Sequence, residues 1–383
     1  MLHSRQQAIG RRMPLIQLAD SDIVYRNPKP YLRSIQARHP SLVMLDKGEL
    51  LAAFDLGQSD ESVDYRTYRA RSHDNGRSWQ LEPALFANPP GRPTSYSVRI
   101  SRAGDEVLAF GSLHYRDDPD EGMLNRATLG FVPTDLILLR SQDGGRHWSD
   151  FERIRPPIDS PAWETCHHVV QLPSGRWLAP TATWRGWDGQ HPAGEQTVVL
   201  ISDDHGRTWP QFGRVFDGRE SGLIHWEVSV APLHDGRLVA VAWVHDPRTG
   251  QNHSNRFALS PDDGASWGPA GETQLSGQTC KLLELQDGRL LCIYRRTDRP
   301  GLWANLATIE DDRWLNIAET AVWQGADLTP VSTTNSADAL AALRFGYPSP
   351  LQLPDGQVLV AFWCVENCQS LIRLTRLHVS PAP

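Results

Sequence analysis

Five histidines, His39, His167, His168, His225 and His245, stand near the beginnings and ends of segments that read as β-strands. One such histidine is usually a hydrogen-bonded structural residue. Five at comparable positions predict a cavity mouth rich in imidazole, the side chain suited to general acid–base chemistry near neutral pH. Segment 183–191 places Trp184 and Trp187 around Arg185, and reads either as a sugar-stacking lid or as a plug between repeats. Cys364 and Cys368 are separated by three residues, but no second pair follows, so no zinc site is expected. Four regularly placed acids, Asp74, Asp143, Asp204 and Asp262, sit in turns and match no calcium-binding loop.

Those four acids belong to one pattern, S-x-D-x-G-x-x-W. It begins at Ser72, Ser141, Ser202 and Ser260, at intervals of 69, 61 and 58 residues. A pattern recurring this way implies a repeated structural unit. Asp or Ser ahead of Gly marks a tight hairpin, and the Trp gives the next strand a large packing anchor. A second repeat lies between the boxes: an apolar run, a Gly turn and another apolar run. It occurs around Gly48, Gly104, Gly175, Gly236, Gly288 and Gly356. A degenerate fifth box, without its Gly, runs from Thr308 to Trp314.

Six units of about four strands predict an all-β fold, a six-bladed β-propeller of four-stranded antiparallel blades. Blades cannot bury their faces alone, so residues 21–383 should form one domain, with 1–20 as a loosely attached arm. A strand near Ile23–Arg26 is expected to close the ring against Leu371–Val379. A short helical turn is expected at Asp338–Leu343. A net charge of −7 argues against nucleic acid as the main partner. No run of eighteen apolar residues suggests a membrane span. The N-terminus has no apolar secretion signal, and the five cysteines are an odd number, which points to a reducing, cytoplasmic setting. No cofactor or metal is indicated.

The boxes resemble the Asp-boxes of the sialidase (neuraminidase) superfamily, and the resemblance runs from about Ser34 to Val379. Two further segments carry it. Ala37-Arg38-His39-Pro40 stands where sialidases open their first blade with Tyr/Phe-Arg-Ile-Pro. Gly346-Tyr347-Pro348-Ser349, ahead of Leu353-Pro354-Asp355-Gly356, stands where they have a Tyr-Ser segment before a turn.

The resemblance implies an exo-acting glycosidase that cleaves a terminal sugar acid from a glycan. Its arginines would clamp the substrate carboxylate, since the planar guanidinium binds carboxylates bidentately. Arg38 is the first candidate, and Arg295 or Arg296 the second. For a third, Arg344 competes with Arg99 and Arg185. Tyr347 takes the nucleophile's place, because a neutral phenol avoids repulsion near an anionic substrate. Glu227 is its expected partner, with Glu164 as rival. The general acid is expected on the loop 55–64, at Asp60, with Glu61 and Asp64 competing. His39, Glu164, His168 and Trp226, at comparable strand starts, are expected to contact substrate.

The chain also departs from the pattern. His39 replaces Ile, Pro348 follows the tyrosine, and the hairpin after Glu227 ends in Trp243 and His245 where an arginine would stand. A relative acting on rhamnose or uronic acid, as hydrolase or lyase, and a non-catalytic carbohydrate-binding propeller remain alternatives.

Overall fold

The computed structural model describes residues 14–325 and 342–381. It contains six antiparallel sheets in a ring. Blades one to six have their inner strands at Gln36–Met44, Thr94–Ala103, Ala162–Glu164 with Val170–Gln171, Ile224–Pro232, Gly277–Glu284 and Phe345–Gln352. The ring closes as expected. The strand Ile16–Arg26 supplies the outer edge of blade six, pairing Arg26 with Leu371 and Ile23 with Arg373. This strand starts earlier than foreseen, so residues 16–20 belong to the closing blade and not to an arm. The turn expected at Asp338–Leu343 lies mostly outside the described residues. Among the described residues no helix is long and apolar enough to cross a membrane.

The inner hairpins repeat one local device. Leu172, Leu233, Leu285 and Leu353 each bracket a three-residue loop that ends in Gly. The glycines, Gly175, Gly236, Gly288 and Gly356, have φ between 81° and 89°, a left-handed region costly for residues with a Cβ. The boxes build the outer hairpins. In the first, the Ser72 hydroxyl accepts the Gly76 N–H at 2.8 Å, and Asp74 accepts the Ser78 N–H at 2.9 Å. The Trp79 indole donates to the Gly76 carbonyl at 3.1 Å. These acids therefore hold turns. The degenerate fifth copy forms a different hairpin, with Asp311 and Asp312 at φ 48° and 58° between the paired residues Glu310 and Arg313.

The core lies between blades. Six apolar clusters each join residues of two adjacent sheets. Leu50 and Phe54 of blade one pack with Leu359 and Ile372 of blade six, and Val239 and Val241 of blade four pack with Leu282 and Leu290 of blade five. No sheet owns a core of its own, so each blade requires its neighbours. A seventh, aromatic cluster of Trp184, Trp226 and Trp243 sits at one end of the axis.

Candidate active site

Four inner strands are interrupted at the same place. In blades one, four, five and six the pairing skips between Arg38 and Ser41, Trp226 and Ser229, Gln278 and Lys281, and Gly346 and Ser349. The first residue of each bulge has a left-handed backbone: His39 (φ 50°), Glu227 (55°), Thr279 (53°) and Tyr347 (50°). Bulges re-aim side chains, and strained φ values of this kind gather at functional sites. All four side chains line one cavity of about 1280 Å³ at the axial mouth.

Two residues beyond three of these bulges a serine ties its blade to the next. Ser41 Oγ accepts the Ile100 N–H at 3.0 Å, Ser229 Oγ accepts the Leu282 N–H at 3.0 Å, and Ser349 Oγ accepts the Leu42 N–H at 3.1 Å. In blade five the equivalent residue is Lys281. Its ammonium reaches the Cys166 carbonyl and lies 4.7 Å from the centroid of the Tyr347 ring.

Tyr347 is 3 % exposed. Its hydroxyl receives Arg99 Nε at 3.1 Å. Burial pushes the phenol well above its usual range, with Arg99 pulling the other way. Arg99 also donates to Asp55 at 3.3 Å and Ser97 at 2.9 Å. Asp55 is fully buried. It accepts from Thr67 at 2.5 Å and Ser97 at 2.6 Å, and lies 3.1 Å from His39 Nδ1. Burial would raise its carboxyl, but Arg99 and His39 outweigh this and hold it below the ordinary value. The His39 ring meets the Tyr347 ring edge-on, with centroids 4.7 Å apart.

On the opposite wall, Glu227 accepts the Trp243 indole N–H at 2.7 Å, and its backbone N–H reaches Glu164 Oε2 at 3.4 Å. Among the described residues Glu164 Oε1 is buried without a hydrogen-bond partner. Burial, helped by the Glu227 charge, pushes the Glu164 carboxyl up to about 7. The Cys166 thiol lies 3.9 Å from Glu227 Oε1 and is itself raised, first by burial and then by both carboxylates.

Arg38 stacks on Trp363, 3.5 Å from its ring centroid, and forms a two-pronged pair with Asp60, Nε to Oδ1 being 2.6 Å. Of the three loop acids, Asp60 therefore faces Arg38. Glu61 Oε2 caps the Leu124 N–H and Asp64 caps the Gln58 N–H. Arg295 is 5 % exposed and donates only to neutral acceptors among the described residues, Gln278 Oε1 at 2.6 Å and the Phe345 carbonyl at 3.1 Å. Burial draws it down to about 10.

The cavity thus gathers Arg38, His39, Asp60, Glu164, Trp226, Glu227, Arg295 and Tyr347. Arg296 does not join them. One residue along the strand its side chain points the other way, to Asp298 and Glu319. His168 stays off the cavity wall, stacked on His167 with centroids 4.2 Å apart. Burial and Lys281 draw it down to about 4. None of the three rivals for a third arginine borders the cavity among the described residues. Arg99 is committed to Tyr347 and Asp55, Arg185 bonds Glu195, and Arg344 donates to the Leu343 carbonyl. The 183–191 segment is divided. Trp184 is buried in the cavity wall against Trp226, whereas the Trp187 carbonyl accepts from Asn125 and Thr128 in the neighbouring loop.

Asp55, Lys281 and Trp363 were not singled out in the sequence. In the fold each is tied to a bulge: Asp55 pairs across from Arg38, Trp363 pairs across from Gly346, and Lys281 resumes the pairing after Thr279. Among the described residues no three metal-ligating side chains gather at one point.

The BNR repeat-like domain profile matches residues 48–360. The chain belongs to this BNR-repeat family. As a divergent member it is similar to a sialidase of Micromonospora viridifaciens, at 26 % identity over 250 residues, 61 % of this chain and 36 % of that protein. It is also similar to human Sialidase-4, at 31 % over 148 residues, 35 % of this chain and 29 % of that one. The matched part therefore spans about a third of each relative's length. A Dyadobacter fermentans protein of unknown function shares the BNR-propeller fold at TM-score 0.72 and 21 % identity, covering 96 % of this chain and 100 % of that one. A mutant NanB sialidase from Streptococcus pneumoniae does so at 0.66 and 14 %, covering 93 % and 70 %. An α-L-arabinanase of Penicillium chrysogenum complexed with arabinobiose does so at 0.62 and 15 %, covering 95 % and 99 %. At these identities the likeness concerns the fold.

Proposed function

We propose that this BNR-repeat propeller is a retaining glycoside hydrolase that removes a terminal acidic sugar from a glycan, with Tyr347 as nucleophile. The observation that carries this reading is convergence. Arg38 and Tyr347, from opposite ends of the chain, line one cavity, and His39 lines it with its ring edge-on to Tyr347. Arg295 supports the acidic substrate, because a buried guanidinium with no carboxylate hydrogen-bonded to it among the described residues suits an incoming anion. Trp184, Trp226 and Trp243 offer apolar faces for the sugar ring. The sialidase relatives and the arabinanase neighbour favour glycan chemistry in general.

The test is a panel of sialosides and uronic-acid glycosides offered to wild type and to Arg38→Ala. Wild type should release the acidic sugar with retained configuration, and R38A should lose activity mainly through KM. An ultraviolet-absorbing unsaturated product would favour a lyase instead. Equal processing of a neutral glycoside by both proteins would remove the carboxylate clamp.

A further inference from the structure

A glycosidase needs a group that protonates the leaving oxygen and later deprotonates water. Both Asp60 oxygens already accept from Arg38. His39 is differently placed. Its Nδ1 lies 3.1 Å from Asp55 Oδ2 and 2.9 Å from the Tyr65 hydroxyl, which itself donates to Asp55 at 3.4 Å. An unprotonated Nδ1 would set its lone pair against a buried carboxylate. The geometry favours a proton on Nδ1, shared between Asp55 and the Tyr65 oxygen. That tautomer leaves the lone pair on Nε2, which makes no hydrogen bond among the described residues, while the ring borders the cavity with its side chain 36 % exposed. A left-handed bulge holds the ring there, edge-on to Tyr347.

We propose that His39, oriented by Asp55, is the acid–base catalyst of the reaction assigned above, a role that rests on the glycosidase reading. Asp55 is a positioning residue. It fixes the tautomer and stabilises the imidazolium when it forms.

The cycle needs one proton besides those of water. At rest Tyr347 is a phenol and His39 is neutral, with burial drawing the imidazole below its usual range and Asp55 opposing this. The Tyr347 proton passes to Nε2, directly or through one water, giving phenolate and imidazolium. The phenolate oxygen bonds the anomeric carbon while the glycosidic C–O bond breaks, and the leaving oxygen takes the Nε2 proton. Water then bonds the anomeric carbon, the Tyr347–carbon bond breaks, and Nε2 takes a proton from that water. Return of the proton to the phenolate restores both groups.

The experiment compares His39→Ala, His39→Gln and Asp60→Asn on two probe classes, 4-methylumbelliferyl and alkyl glycosides of sialic and glucuronic acid. An aryl leaving group needs little protonation. H39A and H39Q should lose about 10²–10⁴-fold in kcat/KM on the alkyl glycosides, far less on the aryl ones, and recover partly with added imidazole. D60N should lose similar amounts on both classes. Melting curves report whether each variant folds. Independently of any substrate, nitrogen-15 NMR of the folded wild type should read His39 protonated at Nδ1 at pH 7. An Nε2-protonated ring overturns the proposal. So does a loss at H39A and H39Q that ignores the leaving group, or a leaving-group-dependent loss confined to D60N. A wild type inactive on the whole panel removes the glycosidase reading and this role with it. An active wild type with indifferent His39 variants removes this role alone.

Discussion

Arg99 Nε donates to the Tyr347 hydroxyl at 3.1 Å, joining the second blade to the sixth across 248 positions of sequence. The same guanidinium reaches the buried Asp55. The candidate nucleophile is thus wired to a cation and, through it, to the carboxylate that holds His39.

Tyr347→Phe tests the nucleophile. Only the hydroxyl is lost, so Arg99 Nε forfeits one acceptor, at a cost of about 1 kcal/mol. Turnover should fall at least a thousandfold, on the order seen when nucleophiles are removed. Kinetics beside a melting curve check it. A folded Y347F variant with near-normal turnover would exclude Tyr347 as nucleophile.

Arg99→Met leaves Asp55 as a buried charge without its cation, with an expected loss of about 3–5 kcal/mol. Since the Asp55 carboxyl is depressed in the folded chain, its stabilisation is present above the unfolded value of 3.8 and is lost as pH falls below it. Wild type should therefore show an acid-sensitive melting point, and Asp55→Asn a flatter acid limb. Melting points from pH 2.5 to 6 measure both.

Glu164 gives the opposite sign. Its carboxyl stands at about 7 in the folded chain against an ordinary 4.5, chiefly through burial. Between those values the folded chain holds a proton that the unfolded chain has released. Stability should therefore fall as pH rises from 4.5 to 7, by up to about 3 kcal/mol. Glu164→Gln imitates the protonated form. It should match wild type near pH 5 and melt higher at pH 8. Identical pH profiles for the two proteins would refute the raised carboxyl.

Asp262→Ala removes the acceptor of the Ser266 N–H (2.8 Å) and hydroxyl (2.6 Å) in the fourth box. Losing these turn bonds should cost about 1–2 kcal/mol and lower the melting point by a few degrees, with kcat unchanged. A changed kcat would give the box acid a role beyond its turn.

Much of the architecture was legible because it is periodic. Gly-ended hairpins and Ser-Asp-Gly-Trp boxes are local devices, so counting them counted the blades, and the closing strand was recognisable as an unpaired apolar run. Placement of Arg38, Glu227 and Tyr347 at strand starts was enough to bring them to one mouth. Arg295 and Arg296 stand as alternatives in the sequence because side chains alternate across a strand, and composition does not reveal which neighbour faces inward. Arg99 was weighed as a substrate clamp, while its partner in space, Tyr347, lay far along the chain.

The sequence by itself determined the ring, because each turn is set by residues within a few positions of one another. Tertiary structure alone decided the chemistry of the cavity. Arg38 is held by Asp60, Glu227 by the Trp243 indole, and His39 by Asp55, and the bulges that aim these groups are visible only once strands pair. The physical reason is range: a hydrogen-bonded turn is a local contact, whereas the proton affinity of a buried group depends on every charge and dipole packed around it, from whichever blade they come.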